Sequence, residues 1–184
     1  METAVGVDWD ELLREEMGWA MRQKRNVIGD EQFTMRVKAI GPGGQIAKLP
    51  IVWRNEDEKR RAMWAVSRVA KDTLSQAVMV TSDARFLNTT GFCKRFGIAE
   101  PTVATLEEFN RERFRVMKGF DDYMGNLPND CYYENLIVAI RGPQVCRMAS
   151  TRYALVNGAL VFEPMDDNKN ATTLRMDLIP AWWN

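Results

Sequence analysis

Ala77-Val78-Met79-Val80-Thr81 decides how this chain folds. A continuous apolar run of this length leaves no polar face, so a strand here is covered on both sides and lies inside a sheet. The segment before it supplies one cover. Asn55-Glu56-Asp57-Glu58 offers a cap and an acidic first turn, which suit the positive end of a helix dipole. Met63, Val66, Ala70 and Leu74 then recur at helical spacing, with Lys59, Arg60, Arg61, Arg68 and Lys71 turned to water. The pattern predicts a helix over 56–74 with that apolar stripe buried.

Toward the N-terminus, Phe33, Met35, Val37 and Ala39 alternate with Thr34, Arg36 and Lys38, and Ala47, Leu49, Ile51 and Trp53 alternate again after Gly41-Pro42-Gly43-Gly44. That is a β-hairpin with one face in and one out. Before it, Asp8 with Glu11 forms a capping box, and Leu13, Met17, Ala20 and Met21 mark a helix over 9–25. Toward the C-terminus, residues 87–104 show no period and are assigned to a loop. Thr105 with Glu108 makes a second capping box, opening a helix over 106–119 with Leu106, Phe109, Phe114 and Met117 on one stripe. A turn-rich connector runs from Asp121 to Asp130. Strand-like stretches follow at 136–141, 145–156, 159–163 and 173–179, and Asn157-Gly158 between two of them signals a type I′ hairpin turn. The expectation is one α+β domain over 1–184, with a largely antiparallel sheet of about seven strands and three helices.

The function classes that composition excludes follow from one absence: the sequence has no histidine. Within these residues a Ser-His-Asp or Cys-His relay is impossible, as is a His-bearing zinc or two-His iron site. Lys+Arg and Asp+Glu are both 25, so no net charge draws the chain toward nucleic acid or an anionic membrane. Cys93, Cys131 and Cys146 are odd in number and far apart, without a Cys-x-x-Cys pair, and are expected as free thiols in a reducing cytoplasm. The acidic start lacks the features of a secretory signal, and no apolar run reaches membrane-spanning length. The sequons at Asn88 and Asn170 are therefore expected to stay unmodified.

Gly41-Pro42-Gly43-Gly44-Gln45-Ile46-Ala47-Lys48 invites comparison with a P-loop, but Ala47 and Leu49 stand where Gly and Ser or Thr are needed, and a strand follows where a helix should. Asp83 is expected at the end of the buried strand, a position where α/β folds place functional groups, with Asp121, Asp122 or Glu134 as possible companions for a cation. Capping of a following turn, or pairing with Arg85, is the preferred reading of Asp83. Asp121-Asp122 and Asp166-Asp167-Asn168 lack the ligand spacing of a Ca²⁺ loop and read as turns. Cys131 has no basic neighbour in sequence and reads as a buried structural residue. Arg111, Arg113 and Arg115 are balanced by Glu107 and Glu112 on an ordinary solvated helix face. Trp182 and Trp183, close to the C-terminal end of the sequence, either pack on the chain's own core or form a docking patch.

Val66-Ser67-Arg68-Val69-Ala70-Lys71-Asp72-Thr73-Leu74, then Ala77 to Phe86, and later Asn135-Leu136-Ile137-Val138-Ala139-Ile140, resemble small α+β proteins encoded by bacteriophages and prophages. The resemblance covers about half the chain through pattern and not signature residues, and that group has no assigned activity. What it implies is a setting, a bacterial host cytoplasm. The expected function is a non-catalytic, protein-binding accessory or assembly protein, with Trp182, Trp183 and Arg85 as partner-binding residues and with a protein partner or self-association. No cofactor, metal, nucleic acid or membrane is expected. The alternatives are a Mg²⁺-dependent hydrolase or nuclease that uses carboxylates alone, Asp83, Asp121, Asp122 and Glu134, and a protein that sequesters a small ligand in a pocket lined by Trp and Arg.

Overall fold

A computed structural model describes residues 6–26, 35–51, 56–118, 127–168 and 181–182. The elements are α1 (Trp9–Asn26), β1 (Arg36–Ile40), β2 (Ile46–Leu49), α2 (Glu56–Asp72), β3 (Ala77–Leu87), α3 (Thr89–Phe96), α4 (Leu106–Met117), a 3-10 turn (Asn129–Cys131), β4 (Tyr132–Arg141), β5 (Cys146–Val156), β6 (Ala159–Phe162) and β7 (Asp166–Asn168). The strands form a seven-stranded antiparallel sheet in the order β2-β1-β3-β4-β5-β6, with β7 also paired to β5. The chain divides into two compact units, Met1–Asp83 with Leu136–Asn184, and Ala84–Asn135.

In the first unit the apolar run Ala77–Thr81 lies where its composition demands. β3 sends Ala77 and Met79 into a cluster with Leu13, Met17 and Ala20 of α1, and Val78 and Val80 into a second cluster with Met63, Val66 and Ala70 of α2. One helix therefore covers each face of the strand, which is why neither face is polar. α1 begins as expected: Asp8 Oδ1 accepts from the backbone N–H groups of Asp10 (3.0 Å) and Glu11 (2.9 Å). The glycine-rich stretch is a hairpin turn. Ile40 pairs with Ile46, the Gly41 N–H donates to the Gln45 carbonyl at 2.8 Å, and Gly44 takes φ +77°. The second hairpin is the type I′ turn expected, with Asn157 and Gly158 at φ +52° and +78° and Val156 paired with Ala159.

The second unit requires the main correction: the described chain has four helices, not three. α3 lies in the stretch assigned to a loop. Its eight residues are too few to display a helical period, but its ends are well marked. The Asn88 side chain accepts from the Gly91 N–H at 3.2 Å, and Gly97 closes the helix at φ +65°. Phe92, Cys93, Phe109, Met117, Leu127 and Cys131 form this unit's core, with the Phe92 and Phe109 rings edge-on at 6.5 Å. Gly91 lets α3 lie directly on the 3-10 turn, because a Cβ there would collide with the Asp130 carbonyl. Asn88 also donates to that carbonyl (2.8 Å) and accepts from the Tyr133 hydroxyl (2.7 Å), so this sequon side chain is consumed by the fold.

Smaller expectations also change. Leu74 belongs to no buried stripe: it is 77% exposed and stands just past α2 at φ +52°. Thr105 precedes α4 without a side-chain cap bond, since its Oγ1 instead accepts from the Thr102 N–H at 2.9 Å. Leu106 and Phe114 are exposed while Phe109 and Met117 are buried, so the inward stripe of α4 is rotated from the one expected. Asp166, Asp167 and Asn168 form a short strand opposite Ser150, Ala149 and Met148, not a turn. The strand expected at 173–179 lies outside the described residues.

Candidate functional site

The polar groups most able to do chemistry gather beneath α1. Both faces of β1 are covered, so Arg36 and Lys38, expected to face water, point toward this helix instead; Lys38 is buried. The register Arg36↔Thr81 and Lys38↔Met79 sets β1 and β3 side by side, and their alternation brings Arg36, Lys38, Thr81 and Asp83 to the α1 side. On α1, Glu16, Ala20 and Lys24 follow at four-residue spacing and form one row. Glu16, only 3% exposed, accepts from the Thr81 hydroxyl at 2.8 Å, pairs with Lys38 and lies 3.7 Å from Arg36 Nε. The Arg36 guanidinium stacks over Trp19 at 4.1 Å. Two turns further along, Asp83 pairs with Lys24 and accepts from the Tyr153 hydroxyl at 2.6 Å, while Lys24 also lies 4.8 Å from the centre of the Tyr153 ring.

Asp83 is thus not at a strand end, because β3 continues to Leu87. Each of its oxygens is engaged, and a metal ion would have to displace Lys24 or Tyr153 to reach it. Glu134 is held separately: its Oε1 accepts from Arg85 Nε at 2.9 Å, and the Arg85 guanidinium stacks 4.6 Å from the centre of the Tyr132 ring. Asp121 and Asp122 lie outside the described residues. Among the described residues no three Cys, Asp or Glu side chains are placed to hold a metal ion. The arrangement beneath α1 ties a helix to two strands and offers no unshared base.

The Cys131 and Cys93 thiols are likewise unsuited to nucleophilic work. All three cysteines are free. Burial, and then the neighbouring Asp130 carboxylate, push the Cys131 thiol up to about 11, and burial followed by Glu100 raises Cys93. Trp182 is 7% exposed and packs with Val37, Met63, Val66, Ala70, Val78 and Val80, so it belongs to the core on the α2 side and not to an open docking patch. Trp183 lies outside the described residues.

Sequence reasoning missed Glu16, Lys24, Lys38, Thr81 and Tyr153. The signal available was Glu16 itself, which stands beside Met17 and four residues before Ala20, inside the arc that the apolar residues of α1 define. Two surfaces also escaped notice. One is the β5–β6 hairpin, where Leu155, Val156 and Val161 are exposed; the other is the outer face of α2, where Trp64 is exposed. Among the described residues no helix is long and apolar enough to cross a membrane. Comparison with protein-family models, curated proteins and solved structures gives no match.

Proposed function

We propose that this chain is a non-catalytic protein-binding accessory or assembly protein that associates with a second copy of itself through the β6 edge of its sheet. The observation that carries this reading is the apolar surface of the β5–β6 hairpin. The pairs Ala154↔Val161 and Val156↔Ala159 place these four side chains on one face, and all four are exposed. Leu160 and Phe162 point the other way, against the cluster beneath α1. β6 ends the strand order among the described residues and carries no charged side chain. The edge is uncharged and apolar along Ala159–Phe162 alone, since Glu163, Pro164 and a one-residue register shift before Asp166 block pairing beyond it, and two such four-residue edges related by a twofold axis complement each other.

The setting proposed with it, a phage-derived gene acting in a bacterial cytoplasm, rests on the resemblance described above. Sedimentation of the wild type against Val161→Lys tests the proposal. Val161 is 49% exposed, so the lysine is expected to leave the denaturation midpoint nearly unchanged while abolishing a concentration-dependent dimer. A wild type that stays monomeric through the micromolar range, or a dimer indifferent to Val161→Lys, would refute it. So would Mg²⁺-stimulated phosphoester hydrolysis by clean protein that is lost in Asp83→Asn.

A further inference from the structure

The outer face of α2 points to a second surface, independent of the β6 edge. Met63, Val66, Ser67 and Ala70 are buried on one side of the helix. Arg60, Arg61, Trp64, Arg68 and Lys71 are exposed on the other. Relative to Trp64 the four cations stand at −4, −3, +4 and +7, spacings that all return to the same side of a helix. From Lys59 to Lys71 the chain carries five basic residues and no acidic one. Arg60 pairs with Asp57 at 3.4 Å, but both side chains are 72% exposed, and such a pair contributes little. Arg61, Arg68 and Lys71 make no ion pair with any described residue. Trp64 is 56% exposed, although the fold beneath it is well supplied with apolar side chains.

We infer that this face docks an acidic polypeptide segment, with Trp64 as the apolar anchor and Arg60, Arg61, Arg68 and Lys71 meeting carboxylates around it. Charge complementarity names the sign of the partner, and the geometry names its class. One exposed Trp among four cations matches a peptide that carries apolar side chains between its carboxylates, and Trp and Arg are the residues that supply most binding energy at protein contacts. The cationic stripe is also short. Exposed Asp57 and Asp72 bracket it, and at 1.5 Å per residue the interval between them is about 22 Å. A continuous polyanion would run onto those carboxylates, whereas a short acidic segment ends between them. The chain's zero net charge supplies no long-range field to gather nucleic acid.

The test is a fluorescence-anisotropy titration of the full chain with a short labelled peptide of Glu interspersed with Leu and Phe. The same peptide with Gln for Glu, an oligothymidylate and phosphatidylserine-containing vesicles serve as comparators. Saturable binding of the acidic peptide is expected, with affinity falling at least about tenfold in Trp64→Ala and again in Arg68→Glu. Both positions are exposed, and unchanged circular-dichroism melts will show that the variants remain folded. Repeating the titration on Val161→Lys separates this surface from the β6 edge, since affinity there should be unaltered. The inference is overturned by absence of binding, by equal binding of the Gln peptide, by indifference to Trp64→Ala, or by tighter binding of the oligonucleotide or the vesicles through the same residues.

Discussion

Replacing Glu16 by Ala would remove the acceptor around which the polar groups beneath α1 are arranged. The Glu16 side chain is 3% exposed and that of Lys38 9%, so the ammonium group left behind has little access to water. Removing one partner of a buried ion pair costs about 3–5 kcal/mol, because the survivor keeps its desolvation penalty and loses its compensation. The Thr81 hydroxyl, on a residue without exposed surface, loses its acceptor as well, which adds about 1–3 kcal/mol where nothing replaces it. Arg36 suffers less, since it keeps the Trp19 ring and its side chain is 18% exposed. Partial entry of water sets the net loss at about 4 kcal/mol, a large share of the 5–15 kcal/mol typical of a domain.

The companion variants locate that cost. Lys38→Met alone should be milder than Glu16→Leu alone, because Glu16 retains Thr81 and Arg36. The double variant Glu16→Leu/Lys38→Met removes both charges and should recover most of the loss, leaving about 1–2 kcal/mol for the stranded hydroxyl. Adding Thr81→Val should remove most of that remainder. Urea melts followed by circular dichroism, with a constant slope, give the four numbers of the cycle. A loss below about 1 kcal/mol for Glu16→Ala, or a double variant as costly as the sum of its singles, would refute the reasoning.

Leu74→Gly should raise the melting temperature by about 1–2 °C. The N–H groups of Leu74 and Ser75 donate back to Lys71 (3.1 Å) and Ala70 (2.8 Å) at a position where helices usually place glycine, so relief of a left-handed leucine, about 1–2 kcal/mol, outweighs the 0.4–1 kcal/mol of added unfolded-state freedom. A lower melting temperature would count against this account. Stability should also fall as pH rises from about 9 toward about 11, because folded Cys131 keeps its proton after the unfolded chain, with its thiol near 9.0, has lost it. A flat profile across that window would contradict the assignment. Alkylation of the native protein near pH 8 should modify half-buried Cys146 before buried Cys93 and Cys131, and the denatured, non-reduced chain should titrate three thiols.

Where one physical signal dominates a segment, the sequence is enough to place it. The apolar run of β3, the Asp8 cap, the glycine hairpin and Asn157-Gly158 each have a single strong reading, and each stands in the fold as read. The failures arise where two signals compete. α3 offers cap residues without a period, because eight residues make little more than two turns. Leu74 continues a helical spacing beyond the point where the backbone has already turned. Lys38 alternates like a surface residue on a strand whose second face is covered by another element, a fact that alternation within the strand cannot carry. The polar groups beneath α1 were illegible for the same reason. The ion-paired and hydrogen-bonded partners are 20 to 70 residues apart in the chain and meet only when α1 lies on the sheet.

That distance in sequence makes the buried charges informative about how α1 lies on the sheet. The row Glu16-Ala20-Lys24 is asymmetric, and the sheet beneath it is asymmetric in the opposite sense, with Lys38 and Arg36 under the glutamate and Asp83 under the lysine. Apolar contacts alone discriminate weakly against sliding the helix by one turn, because Leu13, Met17 and Ala20 would still meet aliphatic side chains such as Met79 and Val138. The charges discriminate strongly. A shift of about 6 Å, four residues at 1.5 Å each, would set Ala20 over Lys38 or Ala20 over Asp83, and either way strands charges that the observed position pairs. Reversing the helix would bring Lys24 toward Lys38 and Glu16 toward Asp83, which is like against like. A buried ion pair adds little net stability over well-packed apolar residues, but the penalty for mispairing it is several kcal/mol. The charges beneath α1 therefore act chiefly by excluding alternative placements of the helix, while the α2 side, packed through Met63, Val66, Ala70 and Trp182, is apolar.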